Sequence, residues 1–268
     1  MSGIKLVVAD IDLTLTTSDR RFTEKTKEVI ARLHEKGILF GIASGRPVDA
    51  ISLREKEWNL KYPVDLMIGL NGAELYDVAN EKMYNYFNLK REWMKEIIDF
   101  MEPYSDNMFK YYGKRMMCTN IDPVTEIHNR GEREMFVVDK AELYKEEAPI
   151  LLFRMSEANV IACEKEIEKK NFVDYQGFKT QTTLIEFSDK RISKGFALSE
   201  FCKMNNIDLK DVATFGDTTN DNGMIEIAGM GVCMCNGSDD TKTLENYITE
   251  YTSDEDGFAR FVEKYILK

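Results

Sequence analysis

Short apolar, β-branched runs alternate with helical periodicity at both ends of this chain, and that alternation limits the available folds more than any other feature. Ile4–Ala9 reads as a buried strand. Thr23–Lys36 carries Val29, Ile30 and Leu33 at helical spacing, with Gly37 as its stop signal. Ile38–Ala43 reads as a second strand, followed by Ser-Gly-Arg-Pro, in which Pro47 suits the first turn of a helix. Asp65–Leu70 reads as a third strand, closed by Asn71-Gly72. Strand, helix, strand, helix, strand predicts a doubly wound parallel sheet. The same texture returns later, with a helix over Lys194–Asn205, a strand over Val212–Phe215 and a short helix over Asn220–Ala228. A strand over Met230–Met234 and an amphipathic helix over Gly257–Ile266 follow.

The middle of the chain is different. Strand-like runs at Met83–Phe87, Met108–Tyr112, Arg115–Thr119, Ile150–Met155 and Thr183–Phe187 mix with helical stretches at Arg91–Met101 and Glu157–Lys169. The fold class expected is therefore α/β: a doubly wound parallel-sheet core over residues 1–81 and 190–268, interrupted by an inserted α+β domain over 82–189. A length of 268 residues fits one large domain or two modest ones.

Charge narrows the functions. Against 36 Lys and Arg stand 47 Asp and Glu, a net −11, which argues against non-specific binding to nucleic acid or an anionic membrane. No apolar run approaches the roughly 20 residues of a spanning helix, and the N-terminal run meets Asp10 and Asp12 too early for a signal peptide. Five scattered cysteines suit a reducing cytoplasm, with Cys233 and Cys235 read as strand packing. With only His34 and His128 present, a multi-histidine zinc site is excluded.

Four motifs follow the predicted strands. Asp10-Ile11-Asp12-Leu13-Thr14 begins where the first strand ends, and side chains two apart in an extended segment share a face. Both carboxylates are thus expected at the carboxyl edge of the sheet, where open α/β sheets bind ligands. Ser44-Gly45-Arg46 follows the second strand and offers a hydroxyl and backbone N–H groups at a helix N-terminus, an anion site of phosphate size. Lys194-Gly195 opens a helix, and Gly216-Asp217-Thr218-Thr219-Asn220-Asp221 follows a strand and adds two carboxylates. Taken singly, each also reads as a cap or a solvated charge. Together, four carboxylates, a hydroxyl and a lysine at one crevice fit Mg²⁺ facing a phosphate.

With these motifs in this order, the chain resembles the haloacid dehalogenase superfamily, and within it the Cof-like sugar-phosphatase branch. The Asp-x-Asp-x-Thr loop, a Ser after the second strand, a Lys and Gly-Asp-x-x-Asn-Asp all match, and the insertion sits where that branch carries its C2-type cap. Asn71-Gly72-Ala73, Ser193-Lys194-Gly195 and Asp254-Glu255-Asp256-Gly257 match as well. The resemblance covers essentially the whole chain. It implies Asp10 as the nucleophile that forms an aspartyl-phosphate and Asp12 as the general acid/base. It implies Mg²⁺ held by Asp10, Asp12 through its backbone carbonyl, and Asp217, with Asp221 in support. Ser44, Lys194, Asn220 and the Ile11 and Gly45 amides are the implied phosphate holders. The usual Gly of Asp-x-Asp-Gly-Thr is replaced by Leu13, which is strained by roughly 1 kcal/mol or more if its φ is positive.

The expected activity is Mg²⁺-dependent hydrolysis of a small phosphorylated metabolite by a cytoplasmic monomer or weak homo-oligomer. A phosphotransferase or mutase, a phosphometabolite-binding pseudoenzyme and a receiver-like phospho-acceptor are the alternatives, the last needing only about half this length and no such insertion. Lys110, Tyr112, Arg115, His128 and Arg133 are the insertion's candidates for substrate contact, each set against an ordinary packed or solvated role.

Overall fold

The structure is a computed structural model that describes residues 3–129, 133–244 and 247–268. In chain order the strands are β1 (Leu6–Ala9), β2 (Leu39–Ala43), β3 (Leu66–Gly69), β4 (Glu74–Asp77) and β5 (Lys82–Asn85). Then come β6 (Asn107–Tyr112), β7 (Arg115–Cys118), β8 (Glu134–Val137), β9 (Ile150–Arg154), β10 (Tyr175–Gln181) and β11 (Leu184–Asp189). The last are β12 (Val212–Gly216), β13 (Met230–Cys233) and β14 (Tyr247–Ile248). Two compact units result, Met1–Asn85 with Ile192–Lys268, and Tyr86–Arg191.

The first unit is built on an eight-stranded sheet in the order β14-β13-β12-β1-β2-β3-β4-β5. Neighbours from β14 to β3 run parallel, and β4 and β5 fold back antiparallel. β1 is fully buried along its length, which is why its sequence is a continuous apolar run rather than an alternating one. The Glu24–Glu35 helix starts at Thr23, whose hydroxyl accepts the Thr26 N–H at 3.1 Å, and the chain leaves it through Gly37 at φ 73°. Its Val29, Ile30 and Leu33 join Phe40, Ile42, Phe215 and Phe258 in one core. From β1 the chain builds outward to β2 and β3 on one side, and only later to β12 on the other. The switch in direction falls between β1 and β12, the place where such sheets open a ligand crevice.

The second unit is a six-stranded sheet, β10-β11-β9-β6-β7-β8, antiparallel except for the β7–β8 pair. The Arg91–Met101 helix contributes Met94, Ile97, Ile98 and Met101 to its core, and Glu157–Lys170 contributes Val160 and Cys163. Leu151, Phe153, Ile185 and Phe187 meet them from the sheet.

Lys82–Asn85 pairs with β4 as the edge of the parallel unit's own sheet, so the chain leaves that unit after Asn85 rather than at residue 81. It returns at Ile192 rather than at residue 190, because the Lys190 N–H still donates to the Asp174 carbonyl of the second unit at 3.1 Å. The helix expected over Asn220–Ala228 is a 3₁₀ turn, Thr219–Asp221, followed by a helix over Asn222–Ile227. The final helix keeps its α form only over Gly257–Phe261 and widens to a π turn over Val262–Ile266. Among the described residues no helix is long and apolar enough to cross a membrane.

Candidate active site

Asp10 is fixed by the strand it ends. Ala9 pairs with Phe215, and the next N–H, that of Asp10, donates to the Phe215 carbonyl at 3.0 Å. The carboxyl group therefore stands where β1 and β12 finish. Lys194 opens a helix capped by Ser193, whose hydroxyl accepts the Phe196 N–H at 3.0 Å. Its fully buried ammonium donates to Asp10 Oδ1 at 2.7 Å and to Asp221 Oδ1 at 2.6 Å. The second Asp221 oxygen accepts the N–H groups of Asp217 at 3.0 Å and Thr218 at 3.2 Å, closing the loop after β12 on itself. Gly216 permits this closure, since a Cβ there would lie 2.4 Å from that of Asp221. Asp10, Asp217 and Asp221 are all buried and offer carboxylate oxygens within 4.8 Å of one another.

Three carboxylates facing one ammonium leave an excess of negative charge in a dry place. Burial pushes the Asp10 carboxyl up to about 7, against the pull of Lys194 and with added repulsion from Asp221 and Asp12. Asp217 is pushed up to about 8 by burial first, then by the charges of Asp10 and Asp221. For Lys194 burial acts the other way, yet the charges of Asp10 and Asp221 outweigh it and hold the ammonium above the usual lysine value. Such a group could hold a divalent cation, and its oxygen-only donors suit Mg²⁺.

Asp12 is not part of that cluster. Its half-exposed carboxylate pairs with Arg46 Nη2 at 2.8 Å, while the buried carboxylates beside Asp10 are those of Asp217 and Asp221. The shared face expected for Asp10 and Asp12 needs an extended chain, and the strand ends at Ala9. Beyond it the backbone turns, with the Ile11 carbonyl accepting the N–H groups of Leu15 at 3.0 Å and Thr16 at 2.9 Å. Leu13 does have positive φ, 62°, and its side chain is 40% exposed rather than packed. Its carbonyl accepts Asn236 Nδ2 at 2.9 Å, and Thr14 Oγ1 donates to Asp217 Oδ1 at 3.4 Å.

Ser44 is buried just after β2, its Oγ accepting the Arg46 N–H at 3.2 Å. Ile11 buries its side chain in the core, so only its backbone is available to a ligand. Gly45 lies against Asn71, where an added Cβ would sit 3.4 Å from the amide. Asn220 donates from Nδ2 to Asn71 Oδ1 at 3.0 Å, while its own Oδ1 is buried without a partner among the described residues. Asp254 accepts the N–H and hydroxyl of Ser18 at 2.7 and 2.9 Å, and Asp256 accepts Thr23 Oγ1 at 2.7 Å. The loop before the last helix thus pins the segment that follows the Asp10–Thr14 turn.

The contacts of Arg46 with Asp12, Asn71 with Asn220 and Asn236 with Leu13 were not anticipated. The available signal was place, since each of the three residues follows a parallel strand of this sheet. Of the insertion's candidates, Lys110 is buried and donates to the Glu146 carbonyl at 2.8 Å. Arg115 lies over the Phe136 ring and Arg133 over that of Tyr111. The side chains of Tyr112 and His128 lie outside the described residues.

Comparison with known proteins gives this geometry relatives. The family model for haloacid dehalogenase-like hydrolases matches residues 7–262. The 5-amino-6-(5-phospho-D-ribitylamino)uracil phosphatase YitU of Bacillus subtilis is 26% identical over 273 residues, 97% of each chain. A haloacid dehalogenase-like hydrolase of Bacteroides thetaiotaomicron superposes with a TM-score of 0.83 at 26% identity, over 97% of this chain and 99% of that one. The subclass IIB sugar phosphatase BT4131 shares the fold, with a TM-score of 0.81 at 21% identity over 98% of this chain and 100% of that one.

Proposed function

This chain belongs to the haloacid dehalogenase-like hydrolases and is an enzyme of their Cof-like phosphatase kind; from that premise we propose that it is a Mg²⁺-dependent phosphatase of small phosphomonoesters, sugar phosphates or related metabolites, acting through an aspartyl-phosphate. The observation that carries the proposal is the buried lattice of Asp10, Lys194, Asp221 and Asp217 at the end of the two central strands.

Lys194 occupies Asp10 Oδ1, which leaves Oδ2 to attack phosphorus. The new bond joins Asp10 to the phosphoryl group as the ester P–O bond breaks, and Asp12 gives its proton to the departing alkoxide. A water then attacks the same phosphorus, losing its proton to Asp12, and the Asp10 carboxylate is released with inorganic phosphate. Splitting one hard displacement into two is the usual gain from a covalent nucleophile. Ser44, Lys194, Asn220 and the Ile11 and Gly45 amides hold the phosphoryl oxygens, and positioning with charge neutralisation supplies most of the catalysis. Asp10, Asp217 and the Asp12 carbonyl would hold Mg²⁺, supported by Asp221, and the ion would neutralise charge shared by the carboxylates and the phosphate.

We assign specificity to residues 86–191, because the groups named for the chemistry all lie in the other unit. The Bacillus relative acts on a phosphorylated ribityl chain, which supports a polyol or sugar phosphate as the substrate class. Five free thiols, four of them buried, support a reducing, cytoplasmic location. The test is phosphate release from p-nitrophenyl phosphate and a panel of phosphometabolites, with Mg²⁺ or with EDTA. Turnover is expected only with the cation and not in Asp10→Asn. Full activity in EDTA would sink the cation assignment, and wild-type rates in Asp10→Asn would remove Asp10 as nucleophile.

A further inference from the structure

Asn71-Gly72-Ala73 has so far been given no part in the chemistry, yet between them Asn71 and Gly72 touch three of the segments that carry it. The Asn71 N–H donates to the Ser44 carbonyl at 3.1 Å, and the Leu70 N–H donates to the Arg46 carbonyl at 2.9 Å. The Ser44 N–H in turn donates to the Ile68 carbonyl at 2.8 Å, so the turn after β2 is laced to the turn after β3. The Asn71 side-chain oxygen accepts Asn220 Nδ2 at 3.0 Å. Gly72 abuts the helix that Lys194 opens, since a Cβ there would lie 2.1 Å from the Ser193 carbonyl oxygen and 3.2 Å from the Lys194 nitrogen.

The backbone of this turn is costly. Leu70, Asn71 and Gly72 stand in succession at φ 46°, 54° and 110°. A left-handed Leu costs about 1–2 kcal/mol, and such conformations persist only where the surroundings over-determine them. Position 71 asks for two properties at once, tolerance of left-handed φ and an amide long enough to reach Asn220. Asn meets both. A turn that served only to reverse the chain before β4 would be met by Gly. Asn71 is instead 4% exposed and directed at a neighbour whose own Oδ1 is buried with no partner among the described residues.

We propose that Asn71 is a positioning residue for phosphate, holding the Asn220 amide in register with Ser44 and Lys194. The proposal rests on the phosphatase reading for what Asn220 binds, and on the geometry above for the link itself. With one hydrogen bond of Asn220 removed, its amide is free to rotate away from the phosphoryl group, while the carboxylates that would hold the cation are untouched.

The test is a double-mutant cycle on binding of inorganic phosphate, measured by calorimetry in saturating Mg²⁺, with the Mg²⁺ affinity measured alongside. Asn71→Gly keeps the left-handed turn and removes only the amide. It is expected to weaken phosphate roughly tenfold, the worth of one such hydrogen bond, with Mg²⁺ affinity unchanged. Asn220→Ala should lose a similar factor, and the double variant should lose no more than Asn220→Ala alone. Additive losses, or an Asn71→Gly protein that binds phosphate like wild type, would overturn the link. In ¹⁵N-labelled wild-type protein, phosphate should move the side-chain amide signals of both Asn71 and Asn220. An Asn71 amide that stays still while Asn220 shifts overturns the proposal without any variant. A protein that binds phosphate yet releases none from any ester would sink the phosphatase reading and leave this cycle fully readable.

Discussion

Replacing Lys194 by Met should be far more damaging than the loss of one surface charge. The ammonium is fully buried and makes two charge-assisted bonds of 2.7 and 2.6 Å to Asp10 and Asp221, both carboxylates also buried. Met fills nearly the same volume, so the cost is electrostatic rather than a cavity. Removing one partner of a buried ionic group leaves uncompensated charge and costs about 3–5 kcal/mol, a large share of a total stability of about 5–15 kcal/mol. The assay is urea denaturation in EDTA, so that no cation stands in for the lost ammonium. Trp58 stacks on Phe22 with ring centroids 4.0 Å apart and reports the parallel unit, once Trp93 in the other unit is replaced by Phe. The pH dependence follows from Asp10, whose folded value near 7 lies above the ordinary 3.8. The variant loses the lysine's pull and raises that value further, so its folded form binds more protons than wild type. Its deficit should therefore grow as pH rises through about 7 and shrink toward about pH 5. A deficit under about 1 kcal/mol, the range of exposed pairs, or one of equal size at both ends of that window, would refute the reasoning.

Leu13→Gly should relieve a left-handed strain of about 1–2 kcal/mol while losing about 0.4–1 kcal/mol through a more flexible unfolded chain. A rise in Tm of about 2 °C is expected, and a fall would show that the exposed Leu13 side chain makes contacts worth more than its strain. Adding Mg²⁺ to weakly buffered protein near pH 6 should release protons, since Asp10 and Asp217 are pushed up to about 7 and about 8. The release should fade at about pH 9, where both carboxyls are already ionised; an indicator dye reads it, and no release near pH 6 would mean the cation binds elsewhere. Gly195→Ala places a Cβ 2.2 Å from the Gly223 carbonyl oxygen and should cost about 1–3 kcal/mol by overpacking, visible in thermal denaturation; unchanged stability would mean the two loops part easily.

What the sequence revealed depended on how local each cause was. β1, β2 and β12 are buried on both faces, so their apolar runs were legible, as was the Glu24–Glu35 helix from Val29, Ile30 and Leu33. β5 was assigned to the wrong sheet because its residues are mostly exposed and only its pairing with β4 says where it belongs. β4, β8 and β10 passed unnoticed: β4 and β8 are four residues long, too short for a period to show, and β10 buries only its first residue. In the site, Asp10, Asp217 and Asp221 meet as their places after strands suggested, but Asp12 turns to Arg46, because alternation stops with the strand. The amide pair of Asn71 and Asn220 is set by tertiary geometry alone. No periodicity marks it.

The pairing of Leu6 with Val212 has a consequence for biosynthesis. β1 leaves the ribosome 206 residues ahead of its partner Val212 (212 − 6), and one of its two edges has no mate until then. At about 5–20 residues per second, that wait lasts on the order of ten seconds or more. During it β2 and β3 can dock on one side while the other edge of β1, all apolar, stays open. The Tyr86–Arg191 unit is contiguous and can fold in the interval, since its strands find all their partners within itself. The parallel unit therefore closes last, and the carboxylates that make up the site first meet in that closing step. Nascent chains stalled before residue 212 should carry a folded insertion beside an open strand edge, the kind of surface that a chaperone or a second nascent chain would find.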